Sequence, residues 1–199
     1  MMTAATAKVL WFLGIVAWVA IRYPFQRRAR RLGVALSAGG TRDRILLIIA
    51  ASGQFVIPLV YVALSLGLGI AIPGDYTPLA GQGWLGLLAL IASLVLFRVT
   101  HKQLGKNWSV TLETREKHTL VTDGLYAWVR HPMYSSFLLF AVAQLLLLPN
   151  WIVGPIGLVA VGILFFMRVP REEAMMEATF GEEYRTYIRH TARIIPWVY

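Results

Sequence analysis

MYSSFLLFAVAQLLLLPNWIVGPIGLVAVGILFFM, residues 133–167, is the stretch that decides the fold. Met133 to Leu148 and Trp151 to Met167 are apolar runs without a charged side chain, and only Pro149-Asn150 lies between them. So short a connection forces two helices to run antiparallel. Each run falls slightly short of the roughly 20 residues that cross a bilayer, so polar flanking residues must join the helices. The hairpin returns the chain to the face it left. The residues before Met133 therefore meet those after Met167.

Working outward, the chain carries three further apolar runs. Ala7 to Ile21 is followed by Arg22, Arg27, Arg28, Arg30 and Arg31. A cleaved secretory signal would carry its charge before the run and a small-residue cleavage site after it, so this run reads as a retained span. Gln26 to Arg44 reads as a basic loop with a turn at Gly39-Gly40, suited to anionic headgroups. Ile45 to Ile72 would be about 42 Å long as a straight helix, more than a bilayer core of about 30 Å. It must tilt, protrude or bend, and Pro58 is the expected bend. Trp84 to Val99 is the third span. Gly81-Gln82-Gly83-Trp84-Leu85-Gly86 satisfies the pattern G-x-G-x-x-G, but it follows a polar turn and opens an apolar helix, so it is no dinucleotide fingerprint.

Lys and Arg alternate with these runs. One precedes the first span, seven fall from Arg22 to Arg44 and none in the loop that starts at Pro73. Six fall from Arg98 to Arg130, none at Pro149-Asn150, and five from Arg168 onward. By the positive-inside rule this is an all-α polytopic membrane bundle of about five spans, near 7–21, 45–72, 84–99, 133–148 and 151–167. The N-terminus is expected outside, and the C-terminus and both polar stretches in the cytoplasm. Asn107-Trp108-Ser109, a formal glycosylation sequon, would then stay unmodified. The 199 residues read as one domain (1–199), with neither a linker nor an internal repeat.

Composition agrees. Hydrophobic residues make up 57% of the chain, and charged residues only 15% against about 25% in a soluble domain. The net charge of +9 sits beside the apolar runs, as in membrane loops, which argues against nucleic acid. The chain has no cysteine, so disulfides, thiolate metal sites and a Cys nucleophile are excluded. Its four histidines lack metal-ligand spacing, so no metal is expected. Ser135 and Ser136 fit helix packing better than a nucleophile. Trp11, Trp18, Trp84, Trp151 and Trp197 read as interface anchors or lipid-facing bulk.

The chemistry is crowded into the hairpin's two flanks, 104–134 and 168–196. Pro132 suits a first helical turn, where free N–H groups and the helix dipole favour an anion. Arg130 could add a bidentate carboxylate contact or snorkel to the interface. Arg168 and Glu172 are four apart, so they could simply pair; ionisable groups at the end of a span also mark function. Arg171 to Arg189 reads as an amphipathic helix opened by Pro170 and bent or ended at Gly181.

Taken together these residues are far more specific. His118-x-Leu120-Val121-Thr122-x-Gly124-x-Tyr126-x-x-Val129-Arg130-His131-Pro132-x-Tyr134, with Glu172-Glu173 and Phe180-Gly181-x-x-Tyr184-x-x-Tyr187, resembles the isoprenylcysteine carboxyl methyltransferase family and the wider membrane phospholipid methyltransferases. The resemblance spans about Leu104 to Pro196. It implies S-adenosylmethionine as cofactor, S-adenosylhomocysteine as product, and methylation at the cytoplasmic membrane face. His118, Leu120, Val121, Gly124, Tyr126, His131, Tyr134, Glu172 and Glu173 match its cofactor region. Arg130 and Arg168 match positions tied to the reacting carboxylate. Leu125 stands where Pro is frequent, and Ser136 where Gly is frequent.

The function expected is methyl transfer to the carboxylate of an isoprenylcysteine-like or other lipophilic substrate, small or lipidated, amid membrane lipids. One rival is N-methylation of an amine phospholipid headgroup, which would need a base such as Glu172 or His131. Another is a non-catalytic scaffold or sterol-binding relative.

Overall fold

The structure is a computed structural model that describes residues 2–29, 34–37, 40–105, 113–115 and 119–198. The sequon at Asn107 and the site candidate His118 lie outside the described residues.

The second apolar run is where the backbone departs most from a plain helix. Helix α2 (Thr41–Ala51) passes through a π turn at Ser52–Val56 into α3 (Ile57–Val62), and a second π turn at Ala63–Gly67 ends the rod. Pro58 stands in the first turn of α3, directly after the π turn. The wider turn receives a ring that removes one backbone donor. The irregularity expected at Pro58 is therefore a change of helix type, and the helical rod stops at Gly67 rather than Ile72.

Three more long helices accompany this rod: α1 (Ala4–Ala29), α4 (Gln82–Leu104) and α6 (Val153–Phe180). Among the described residues, these four segments are long and apolar enough to cross a bilayer. Helix α5 (Pro132–Leu147) is apolar but shorter, about 24 Å at 1.5 Å per residue. The chain is thus a polytopic membrane helix bundle. Helix α4 packs on α1 and α5, α5 on α6, and α6 on α2. Val9, Leu13, Val16, Leu88, Val95 and Phe166 are exposed on the outside, as lipid-facing side chains are. Among the described residues, β1 (Val34–Ser37) and β2 (Glu113–Arg115) form an antiparallel pair, which the apolar pattern could not announce.

Two expectations for the polar flanks are corrected. Helix α1 continues through Pro24 to Ala29, so the basic stretch begins as helix rather than loop. Pro170 does not open a tail helix; it lies inside α6, which runs on to Phe180. Arg168 and Val169 before it and Glu173 after it are all buried, and this packing outweighs the one lost hydrogen bond. Gly181, at φ +57°, breaks the chain as expected, and α7 (Glu182–His190) follows.

Buried amides tie the apolar core. Gln144 Nε2 donates to the carbonyls of Gly53 (3.2 Å) and Val153 (2.8 Å), and Gln54 Nε2 to that of Phe137 (2.9 Å). At the end of the bundle away from α7, Asn150 Nδ2 and the Tyr61 hydroxyl both donate to Asp75 Oδ1 at 2.8 Å. Asn150 Oδ1 also accepts from the N–H groups of Ile152 and Val153, which caps α6 and sets the tight hairpin.

The π turn at Ser52–Val56 comes close to α6 at Gly53. A Cβ there would stand 2.5 Å from Ala160 Cβ and 3.0 Å from the Ile156 carbonyl oxygen. Gly53→Val is expected to lower stability by about 2 kcal/mol, read as the midpoint of thermal unfolding in detergent. Gly67→Ala, with nothing within 4 Å, should leave that midpoint unchanged.

Candidate active site

The hairpin does bring the two polar flanks together. Pro132 occupies the first turn of α5, with His131 at the N-cap position. After α7 the chain turns back and docks beside this entry. Arg130 N–H donates to Ala192 O and His131 N–H to Arg193 O, each at 2.9 Å, while Ala192 N–H donates to Trp128 O at 3.2 Å. This parallel contact fixes the tail against the start of α5.

Glu173, on α6, is the centre of the arrangement. Its Oε1 accepts from Arg130 Nε at 2.7 Å and from His131 Nε2 at 3.1 Å. Arg193 reaches both oxygens, Nη2 to Oε2 at 2.9 Å and Nε to Oε1 at 3.2 Å. Arg130 also donates through Nη1 to the Thr191 carbonyl. The Glu173 side chain is only 11% exposed, so these charge-assisted bonds act with little screening.

One residue earlier, Glu172 is less enclosed. Its Oε2 accepts from the Tyr134 hydroxyl at 3.1 Å and lies 4.0 Å from Arg168 Nε, and its side chain is 30% exposed. Tyr134 is buried edge-on against His131 and Phe165. The expected i, i+4 pairing of Arg168 with Glu172 is present only as this long contact. Arg168 is drawn also to Asp43 in the first turn of α2, with Nε 3.4 Å from Oδ1.

The glycine-containing stretch forms the approach to this site. Gly124, at φ +60°, opens a 3-10 turn, Gly124–Ala127. A Cβ there would collide with Gln103 Nε2 at 1.9 Å, and Gln103 Oε1 accepts the Leu125 N–H at 3.1 Å. Tyr126 is buried, and its carbonyl accepts the Tyr187 hydroxyl at 2.7 Å. Burial raises the phenols of Tyr126, Tyr184 and Tyr187 above their ordinary range, so they stay neutral donors. Leu120 and Val121 are half-buried in the irregular stretch that leads in.

Of the residues singled out from sequence, Arg130, His131, Tyr134, Arg168, Glu172 and Glu173 thus form one cluster. Gly124 and Tyr126 frame its approach, and no hydrogen bond joins Leu120 or Val121 to it among the described residues. Ser136 turns away from the cluster. Its hydroxyl donates to Met133 O at 2.7 Å, and its carbonyl accepts from Ser93 Oγ at 3.1 Å, so it serves the α4–α5 contact.

Sequence reasoning missed Asp43, Arg193 and the Thr191 carbonyl. Asp43 was hidden between Arg42 and Arg44, although it is the first acidic residue of the chain. Arg193 reads as one more basic residue of an interfacial tail until the tail is seen docked.

Comparison with known proteins agrees with this geometry. Residues 84–178 match the isoprenylcysteine carboxyl methyltransferase (ICMT) family. The protein-S-isoprenylcysteine O-methyltransferase of Rattus norvegicus is 34% identical over 115 residues, covering 57% of this chain and 40% of that protein. Its counterpart in Schizosaccharomyces pombe is 34% identical over 98 residues, 48% of this chain and 42% of that protein. Protein-S-isoprenylcysteine O-methyltransferase B of Arabidopsis thaliana is 32% identical over 115 residues, 57% of this chain and 58% of that protein. The chain therefore spans between 40% and 58% of the length of these relatives. The solved structure of the eukaryotic intramembrane Ras methyltransferase ICMT shares the fold, with a TM-score of 0.52 at 24% identity over 82% of this chain and 55% of that one. Residues 84–178, which include Gly124 to Tyr134 and Arg168 to Glu173, are thus similar to the isoprenylcysteine carboxyl methyltransferase family.

Proposed function

We infer that this chain transfers a methyl group from S-adenosylmethionine to the carboxylate of an isoprenylcysteine-like or other lipophilic acceptor, releasing S-adenosylhomocysteine. The observation that carries this reading is the convergence of Arg130, His131, Tyr134, Arg168, Glu172 and Glu173 at one end of an apolar bundle. A water-soluble cofactor and a membrane-soluble acceptor can meet only at such a boundary.

The residues present fit the cofactor. It carries a carboxylate beside cationic groups and needs both signs within one pocket. Arg130 and Arg193 supply the positive side, already ordered by Glu173, and His131 adds a ring nitrogen beside them. Glu172 supplies a partly exposed carboxylate whose one short hydrogen bond is to Tyr134. Glu172 and the His131–Glu173 pair would hold the cofactor's polar parts, with Leu120, Val121, Gly124 and Tyr126 along its side. His118 belongs to the same proposed set.

When bound, the cofactor supplies an electrophilic methyl group. An acceptor carboxylate is already ionised at neutral pH, so the chain needs no general base. Its task is positioning. Arg168, buried between α2 and α6, is placed to hold the acceptor's carboxylate while the apolar tail of the acceptor lies between helices. Arg130 keeps Glu173 in place and adds positive charge on the same side. The alternation of Lys and Arg supports a topology with the N-terminus outside and this site in the cytoplasm.

Two measurements separate the roles of the paired glutamates. Glu172→Gln should weaken S-adenosylhomocysteine binding about tenfold in calorimetry while leaving the unfolding midpoint near wild type. Glu173→Gln should instead destabilise the fold by about 2 kcal/mol, because two guanidinium groups lose their shared anion.

Arg168→Ala should abolish nearly all turnover and keep cofactor affinity; undiminished turnover would refute its role. For wild type, kcat/KM with a carboxylate acceptor should be flat from about pH 6 to 9, because no base has to titrate. A rate that falls on the acid side would point instead to an amine headgroup as acceptor.

A further inference from the structure

We propose that Asp43 is a positioning residue, which holds the guanidinium of Arg168 off Glu172 so that it can meet the acceptor's carboxylate. The proposal rests on the reading of Arg168 above and extends it to a residue outside the segment that matches the family.

Asp43 is 0% exposed, and neither carboxylate oxygen receives a hydrogen bond. Its charged contact among the described residues is Arg168 Nε, at 3.4 Å. A carboxylate withdrawn from water is strongly unfavourable unless a partner offsets it. A pair kept only for stability would be expected to close to hydrogen-bonding geometry, yet this one stays open.

The reason lies one turn along α6. The same Arg168 Nε is 4.0 Å from Glu172 Oε2, and residues four apart on a helix pair readily. Closing that pair would draw the arginine away from the acceptor. Asp43 comes from a different helix and pulls from the other side. Its own helix is anchored to α6 through Leu46 and Ala50, which pack with Leu164, Phe165 and Val169. Tyr134 holds Glu172 from a third helix. Arg22 of α1 is close enough to repel Arg168, so an anion is needed to keep the guanidinium in this buried place. Arg168 Nε thus lies between a carboxylate of α2 and one of its own helix, and nearer to the first.

The test compares wild type, Asp43→Asn and Asp43→Glu. The readings are S-adenosylhomocysteine affinity by calorimetry, the unfolding midpoint, and kcat/KM for an N-acyl farnesylcysteine. Asp43→Asn should lower kcat/KM about tenfold to a hundredfold, with affinity within about threefold of wild type and a lowered midpoint, because a buried guanidinium loses its partner. Asp43→Glu, which keeps the charge but shifts it by one methylene, should fall between the two. Wild-type kcat/KM in Asp43→Asn overturns the proposal. So does a loss of affinity and midpoint in step with turnover, which marks a purely structural role. If Asp43→Asn does not assemble, Asp43→Glu decides: reduced kcat/KM at intact affinity supports the role, and wild-type kcat/KM overturns it. A wild type that binds S-adenosylhomocysteine but methylates no carboxylate removes the underlying reading and the proposal with it. An active wild type indifferent to Asp43 removes the proposal alone.

Discussion

A carboxylate drawn out of water has to find donors, and Glu173 finds them in two arginines and a histidine from two distant parts of the chain. Arg130 and His131 come from the entry to α5, Arg193 from the tail beyond α7, and the glutamate itself from α6. Without this shared anion the two guanidinium groups would repel one another in a poorly screened corner. Its geometry also sets the rest of the cluster. Because Glu173 faces the α5 entry and the tail, Glu172 can meet Tyr134 and Arg168 instead. Two adjacent acids on one helix therefore acquire separate surroundings, one closed by cations and one still open to a ligand.

Much of this could be read before any coordinates. The apolar runs, the Pro149-Asn150 turn, the start of α5 at Pro132 and the break at Gly181 all follow from local rules of length and backbone freedom. The proximity of the two polar flanks follows from the hairpin alone. What could not be read depends on tertiary contact. Pro170 carries a local stop signal, and only the burial of its neighbours keeps α6 running through it. Asp43 looks like a stray acid among arginines until α2 is seen beside α6. The bend expected at Pro58 is realised as π turns, a distinction no hydropathy pattern contains.

The bundle also separates two uses of polar residues in an apolar setting. Gln144, Gln54 and Ser93 sit deep between helices and satisfy backbone carbonyls, which fixes helix register. Ser136 belongs with them, so its departure from the glycine frequent at that position is absorbed by the α4–α5 contact and not by the site. The arginines and glutamates, by contrast, collect at the end where α5 begins. Amides and hydroxyls can close their hydrogen bonds locally. Arginines and glutamates need partners of opposite sign from several helices at once, and such partners converge only where the helices emerge.

The continuity of α6 has a mechanical consequence. Its 28 residues form one rod about 42 Å long, from the Asn150 cap to Gly181, and Glu172 and Glu173 ride on its upper third. A helix that stays continuous through Pro170 passes a change of inclination from one end to the other. A bilayer whose thickness alters the tilt of the buried part therefore displaces both carboxylates as well, with the far end moving about 7 Å for a tilt of about 10°. The thickness of the surrounding lipid thus becomes a variable that bears directly on the spacing of polar groups outside it.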